Sequence, residues 1–131
     1  FRAFWTIDSD VIKKYLKIQN GNRGFGHLAK CLIIITCDLA VFEGSNERNQ
    51  VWIDGGLFSM SLMYALTFHC LGSCPLNWCV GRKKDKIIRK SSNIPNNHEI
   101  IMLLSVGNLP NSFSVPYSTR NEAQIVSQTL K

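Results

Sequence analysis

Two stretches carry groups suited to a flat, charged ligand. Tyr117-Ser118-Thr119-Arg120 sets hydroxyls and a guanidinium just ahead of a predicted helix N-terminus. Hydroxyls, Arg and free backbone N–H groups are what bind a phosphate. The same residues also suit a helix cap with a surface Arg. The second stretch, Gly72-Ser73-Cys74-Pro75-Leu76-Asn77-Trp78, is uncharged and follows a long apolar run. Read as an irregular turn, it can present backbone N–H groups to a flat ligand.

Other groups invite chemistry less. Cys70, Cys74 and Cys79 lie beside His69, but none of the spacings is the paired C-x2-C of a zinc knuckle. They read as structural thiols, so no metal ligand is assigned. Five cysteines in a chain able to bury its own core fit a reducing compartment better than a disulfide framework. His27, His69 and His98 are the histidines that could activate a thiol, and nothing in the sequence supports such a pair. From Arg82 to Lys90, six basic residues face the single acidic Asp85. No aromatic lies between Trp78 and Phe113, whereas nucleic-acid surfaces interleave charge with stacking rings. The stretch reads as the solvated face of an amphipathic helix.

The elements that must position these groups follow from periodicity. Ala3 to Ile7 is a short aromatic and β-branched strand. Asp8, Ser9 and Asp10 are caps for a helix with Val11, Tyr15, Leu16 and Ile18 on one side. The glycines at 21, 24 and 26 have the wrong spacing for a dinucleotide fingerprint. Cys31 to Cys37 is a strand buried on both faces. Asp54-Gly55-Gly56 opens a core helix that runs to about Cys70, apolar around nearly its whole circumference. Arg82 to Lys90 is a helix with Ile87 and Ile88 inward. Glu99 to Val106 is a second buried strand, and Asn121 to Leu130 a closing helix.

With 131 residues, 45% hydrophobic and 18% charged, the chain is one domain, neither disordered nor collagen-like. The net charge of +6 fits nucleic acid, anionic membrane or a phosphorylated ligand equally. The uncharged run from Gly55 to Gly81 carries too many polar residues and a proline to read as a membrane span. The N-terminal residues do not form a signal peptide. A cytoplasmic protein without membrane or nucleic-acid partners is the expectation. The absence of an initiating Met marks the chain as a piece of something longer, or as processed.

Five segments, in order, resemble the FMN-dependent nitroreductase family. Ala29 to Thr36 looks like its central strand, and Trp52 to Leu66 like its long buried helix. Leu71 to Trp78 looks like its "GLGTC" turn in the "LNW" form of one subgroup. Ile94-Pro95 through Glu99 to Gly107 looks like its next strand, and Tyr117 to Arg120 like its closing phosphate-binding stretch. The resemblance covers nearly the whole chain.

It implies an α+β fold: a nitroreductase-like three-layer sandwich whose mixed, mostly antiparallel sheet is flanked by helices. It implies an intertwined homodimer with FMN at the interface, Pro75, Leu76, Asn77 and Trp78 against the flavin ring, and Ser118 and Arg120 at its phosphate. NAD(P)H would be the reductant, and a nitroaromatic, quinone or similar small molecule the acceptor. The flavin carries the chemistry in such a protein, so no side chain is assigned as catalytic. The family's N-terminal helical region, with its Arg-rich phosphate motif and ring-binding Asn segment, has no counterpart here. Residues 1–131 therefore read as an FMN-binding domain truncated at its N-terminus, with the core helix short of cover. The alternatives are a flavin-binding member that no longer turns over, and a basic nucleic-acid-binding domain.

Overall fold

The computed structural model describes residues 1–115 and 117–130. Strand β1 (Arg2–Thr6) leads into helix α1 (Ser9–Ile18). The Asp8 carboxylate caps α1, accepting the N–H groups of Asp10 at 2.8 Å and Val11 at 3.1 Å. Two of the helix's orphan donors are satisfied there, as its sequence predicts. Ile12, Tyr15 and Leu16 form the buried stripe.

Strand β2 (Cys31–Asp38) is buried from Leu32 through Cys37. It lies at the centre with β4 (His98–Asn108), in the strand order β1-β2-β4-β3. All three pairings are antiparallel. Helices α1 and α3 (Arg82–Ser92) cover one face, where Leu32, Ile34, Ile100 and Leu103 meet Ile12, Leu16 and Ile88. Helix α2 (Gln50–Phe68) covers the other, over Ile33, Ile35, Ile101 and Leu104. The architecture is thus α+β in three layers.

A bulge sits at the heart of the sheet. Ile35 pairs with Met102 but Thr36 with Ile100, which leaves Ile101 as the extra residue. Ile101 therefore joins Met102 on the α2 side, and Gly55 of α2 rides directly over it. A Cβ on Gly55 would lie 2.9 Å from Ile101 Cγ2. That contact explains one of the two helix glycines; beside Gly56 there is open space.

Four expectations need correction. Helix α2 opens at Gln50 rather than at Asp54, because Val51, Trp52 and Ile53 form its first turn and Val51 enters the core. Asp54 is then interior and accepts from the Gln50 amide at 2.6 Å. The apolar residues of α2 do not make it a core helix here. Only Val51, Gly55 and Ser59 are buried, while Trp52, Leu57, Met60, Tyr64 and Phe68 face outward. By length and composition α2 could also cross a membrane, but it lies against β2, β3 and β4. In α3, Ile88 is buried as expected and Ile87 is exposed. The closing helix shrinks to α4 (Ala123–Val126), with Glu122 rather than Asn121 at its N-cap position.

Candidate functional site

A fifth correction concerns the stretch expected to be an irregular turn. Leu71–Asn77 is strand β3, paired with β4 from Leu71↔Asn108 to Asn77↔Met102. The turn before it is made by Cys70, whose positive φ of 59° reverses the chain after α2. Pro75 is tolerated because β3 is an edge strand, where a missing N–H faces outward.

The edge position decides what residues 75–78 can do. The Asn77 carbonyl accepts from the Gln19 amide at 3.1 Å, so it points away from β4. In an antiparallel strand a residue's N–H and C=O lie on one side. The Asn77 N–H therefore also points off the sheet, a donor held on a rigid strand. Leu76 faces the other way and its side chain is buried in the α1–α3 core. Its own N–H and C=O turn toward Leu103 of β4. Pro75 and Asn77 are exposed, and Trp78 is half-buried against the same core.

Three residues that sequence reasoning passed over hold this segment. Gln19 is buried; its Oε1 accepts from the Gly21 N–H at 2.7 Å and the Asn22 amide at 3.0 Å, which orients Nε2 toward Asn77. Asp85 Oδ1 accepts the Trp78 indole N–H at 2.9 Å, and its Oδ2 accepts Arg89 Nε at 2.6 Å. Arg89 also donates to the His98 carbonyl and lies 3.7 Å from Glu99. A signal for Asp85 and Arg89 was present, an i,i+4 acid–base pair on a helix, hidden by the surrounding lysines. Burial lifts the Glu99 carboxyl above its ordinary range, and Arg89 opposes that shift.

Ser118 and Arg120 stand apart from this edge. Both are exposed in the C-terminal segment, where Arg120 Nη1 donates to Ser118 Oγ at 2.6 Å. No hydrogen bond or ion pair among the described residues joins them to residues 75–78. The pair keeps the rest of the guanidinium available to an anion. An open cleft of about 590 Å³ lies at the opposite end of β3, between Phe25, Leu28, Gly72, Cys74, Val106 and Phe113. None of the six candidate residues lines it.

A second polar cluster occupies the sheet end beneath α3. His98 is buried, with Nδ1 hydrogen-bonded to Thr36 Oγ1 at 2.9 Å and Nε2 3.8 Å from Asp38. Asp38 accepts from the Ala40 N–H at 3.0 Å and the Asn97 amide at 2.6 Å. The Ala40 bond, with smaller contributions from His98 and Asn97, holds its carboxyl below the usual value. Thr36 is fully buried, so this Asp-His-Thr arrangement offers no accessible nucleophile. Nor do Cys31, Cys37 and Cys74: burial pushes their thiols upward, toward the protonated form.

No protein-family profile matches the chain, and no curated protein matches it in sequence. Solved structures do match. An FMN-dependent nitroreductase from Clostridium difficile superposes with a TM-score of 0.66 at 20% identity, over 89% of this chain and 67% of its own. A nitroreductase-like protein from Streptococcus mutans gives 0.76 at 15% identity, over 99% and 77%. NfrA2 of B. megaterium gives 0.75 at 19%, over 95% and 55%. The fold is that of the nitroreductases. The nitroreductase fold here runs through the whole sheet and both helical layers, and the chain spans roughly half to three-quarters of these structures' own lengths.

Proposed function

We propose that this chain is the flavin-binding part of an FMN-dependent oxidoreductase of the nitroreductase family. The observation that carries the reading is the coincidence of fold and motif. The Leu71 to Trp78 segment, which resembles the family's ring-facing stretch, forms an edge strand whose Asn77 N–H points off the sheet. A donor fixed there suits the electronegative edge of a flavin ring, because a preorganised N–H stabilises the charge of its reduced form. Pro75, Asn77 and Trp78 would lie along the ring, and Leu76, paired to β4 and buried, would support them from behind. Arg120, with Ser118 bonded to it, would take the phosphate. FMN when bound supplies hydride transfer from NAD(P)H to a nitroaromatic, quinone or related small acceptor.

Titrating the purified chain with FMN, followed by flavin fluorescence, tests the reading. Saturable binding that weakens about tenfold or more in Arg120→Ala is expected, the size of a lost charge-assisted contact. An unchanged Kd in that variant removes Arg120 from the site, and no binding by the wild-type chain removes the flavin reading. Bound FMN with no oxidation of NADH or NADPH would favour a flavin-binding member that does not turn over.

The same reading makes the protein a homodimer. Its support is the outward row Trp52, Leu57, Met60, Tyr64 and Phe68 on α2, an apolar face larger than isolated surface hydrophobes explain. A second copy laid along α2 would bury it.

A further inference from the structure

We propose that Asp85 is a positioning residue for the flavin site: it fixes the Trp78 indole, and through it the segment that faces the ring. The inference rests on the flavin reading above for its consequence, but not for its geometry. Asp85 uses both carboxylate oxygens. Oδ1 accepts the Trp78 indole at 2.9 Å, and Oδ2 accepts Arg89 Nε at 2.6 Å. Arg89 is itself held, with its side chain 12% exposed and its other nitrogens toward the His98 carbonyl and Glu99. The acceptor for the indole is thus anchored through α3 to the first residues of β4.

The arrangement is more specific than helix stabilisation requires. An i,i+4 Asp–Arg pair contributes a few tenths of a kcal/mol wherever it sits on a helix. Here the pair lies where its free oxygen meets the residue following β3. Charged acceptors make the stronger hydrogen bonds, so the indole has one preferred orientation. Gln19 grips the neighbouring Asn77 carbonyl from α1's side. Asn77 and Trp78 are therefore held by separate elements, and the strand end is rigid without a ligand. Asp85 also accounts for the one acidic residue in a basic stretch: its role is local and directional, not a matter of net charge.

The test is a double-mutant cycle with Asp85→Asn and Trp78→Phe, read by FMN titration and by the indole N–H signals of tryptophan labelled with nitrogen-15. Asp85→Asn alone should weaken FMN binding about tenfold, the loss of one charge-assisted hydrogen bond. In the Trp78→Phe background the same substitution should change the Kd by less than about twofold. The Trp78 indole signal, assigned by its absence in Trp78→Phe, should move and exchange faster with solvent in Asp85→Asn. Equal losses in both backgrounds would overturn the proposal, because Asp85 would then act only by stabilising α3. An unmoved indole signal would overturn it too. If Asp85→Asn does not fold, Asp85→Glu keeps the charge and displaces the acceptor by one methylene, and the same two readouts apply. If the wild-type chain binds no FMN, the flavin reading fails while the indole signal still decides whether Asp85 holds Trp78.

Discussion

At the scale of single residues, the most consequential groups are those with two partners. Asp38 is one. It accepts a backbone N–H that starts a 3-10 turn (Leu39–Val41) and an amide from Asn97, and it faces buried His98. Its folded-state carboxyl lies below the ordinary 3.8. The stability it contributes is therefore present above that value and is lost as pH falls through the folded one. Asp38→Asn should be less stable than wild type at pH 7 in urea melts. The gap should begin to narrow below about pH 4, where Asp38 of the unfolded chain protonates, and close once pH falls past the lowered folded value. A gap that does not narrow as pH falls would mean that Asp38 acts through shape rather than charge. Glu99 runs the opposite way. Its raised carboxyl means that its ionisation works against the fold as pH rises above 4.5, with Arg89 offsetting part of the effect.

At the scale of elements, the β4 bulge and helix α2 explain each other. The bulge turns Ile101 toward the helix, and Gly55 is the residue that lets α2 lie on it. The two adjacent glycines should therefore respond in opposite directions. Gly56→Ala meets nothing within 4 Å and gains helix propensity, so thermal stability should rise by up to about 1 kcal/mol. Gly55→Ala gains the same propensity but drives a Cβ to within 2.9 Å of a branched side chain. Overpacking of that kind costs about 1–3 kcal/mol, so a net loss is expected. Differential scanning calorimetry of the two variants reads both signs. Two stabilised variants would show that Ile101 can move aside freely.

At the scale of the whole molecule, one helical layer is finished and the other is not. Helices α1 and α3 bury their apolar stripes against the sheet, whereas α2 buries a narrow strip and turns large side chains outward. The expectation is self-association along α2, seen as a concentration-dependent sedimentation coefficient. Leu57→Glu, at a position 64% exposed in the single chain, should shift the population to monomer with little change in the secondary structure. A wild-type chain that sediments as a monomer at high concentration would refute the homodimer. An unchanged oligomer in the variant would move the interface elsewhere.

Much of this was legible from local chemistry. The Asp8 cap, the stripe of α1, the isoleucine run of β2 and the apolar β4 depend on short-range propensity and alternating or helical period, and they appear where periodicity placed them. The order of segments also pointed to the nitroreductase fold. What local pattern could not carry was pairing. Residues 71–77, with a glycine, a serine and a proline, look like a turn until β4 supplies hydrogen-bond partners along their length. The start of α2 was obscured because Val51, Trp52 and Ile53 follow a polar stretch, and burying Val51 against the sheet is what extends the helix back to Gln50. Whether α2 is a core helix depends on what packs on its far side, which its own apolar composition does not encode. Gln19, Asp85 and Arg89 acquired their roles only once α1, α3 and the ends of β3 and β4 came together. Composition and period specify which elements form; long-range packing specifies which of their polar groups meet, and the candidate site is made of such meetings.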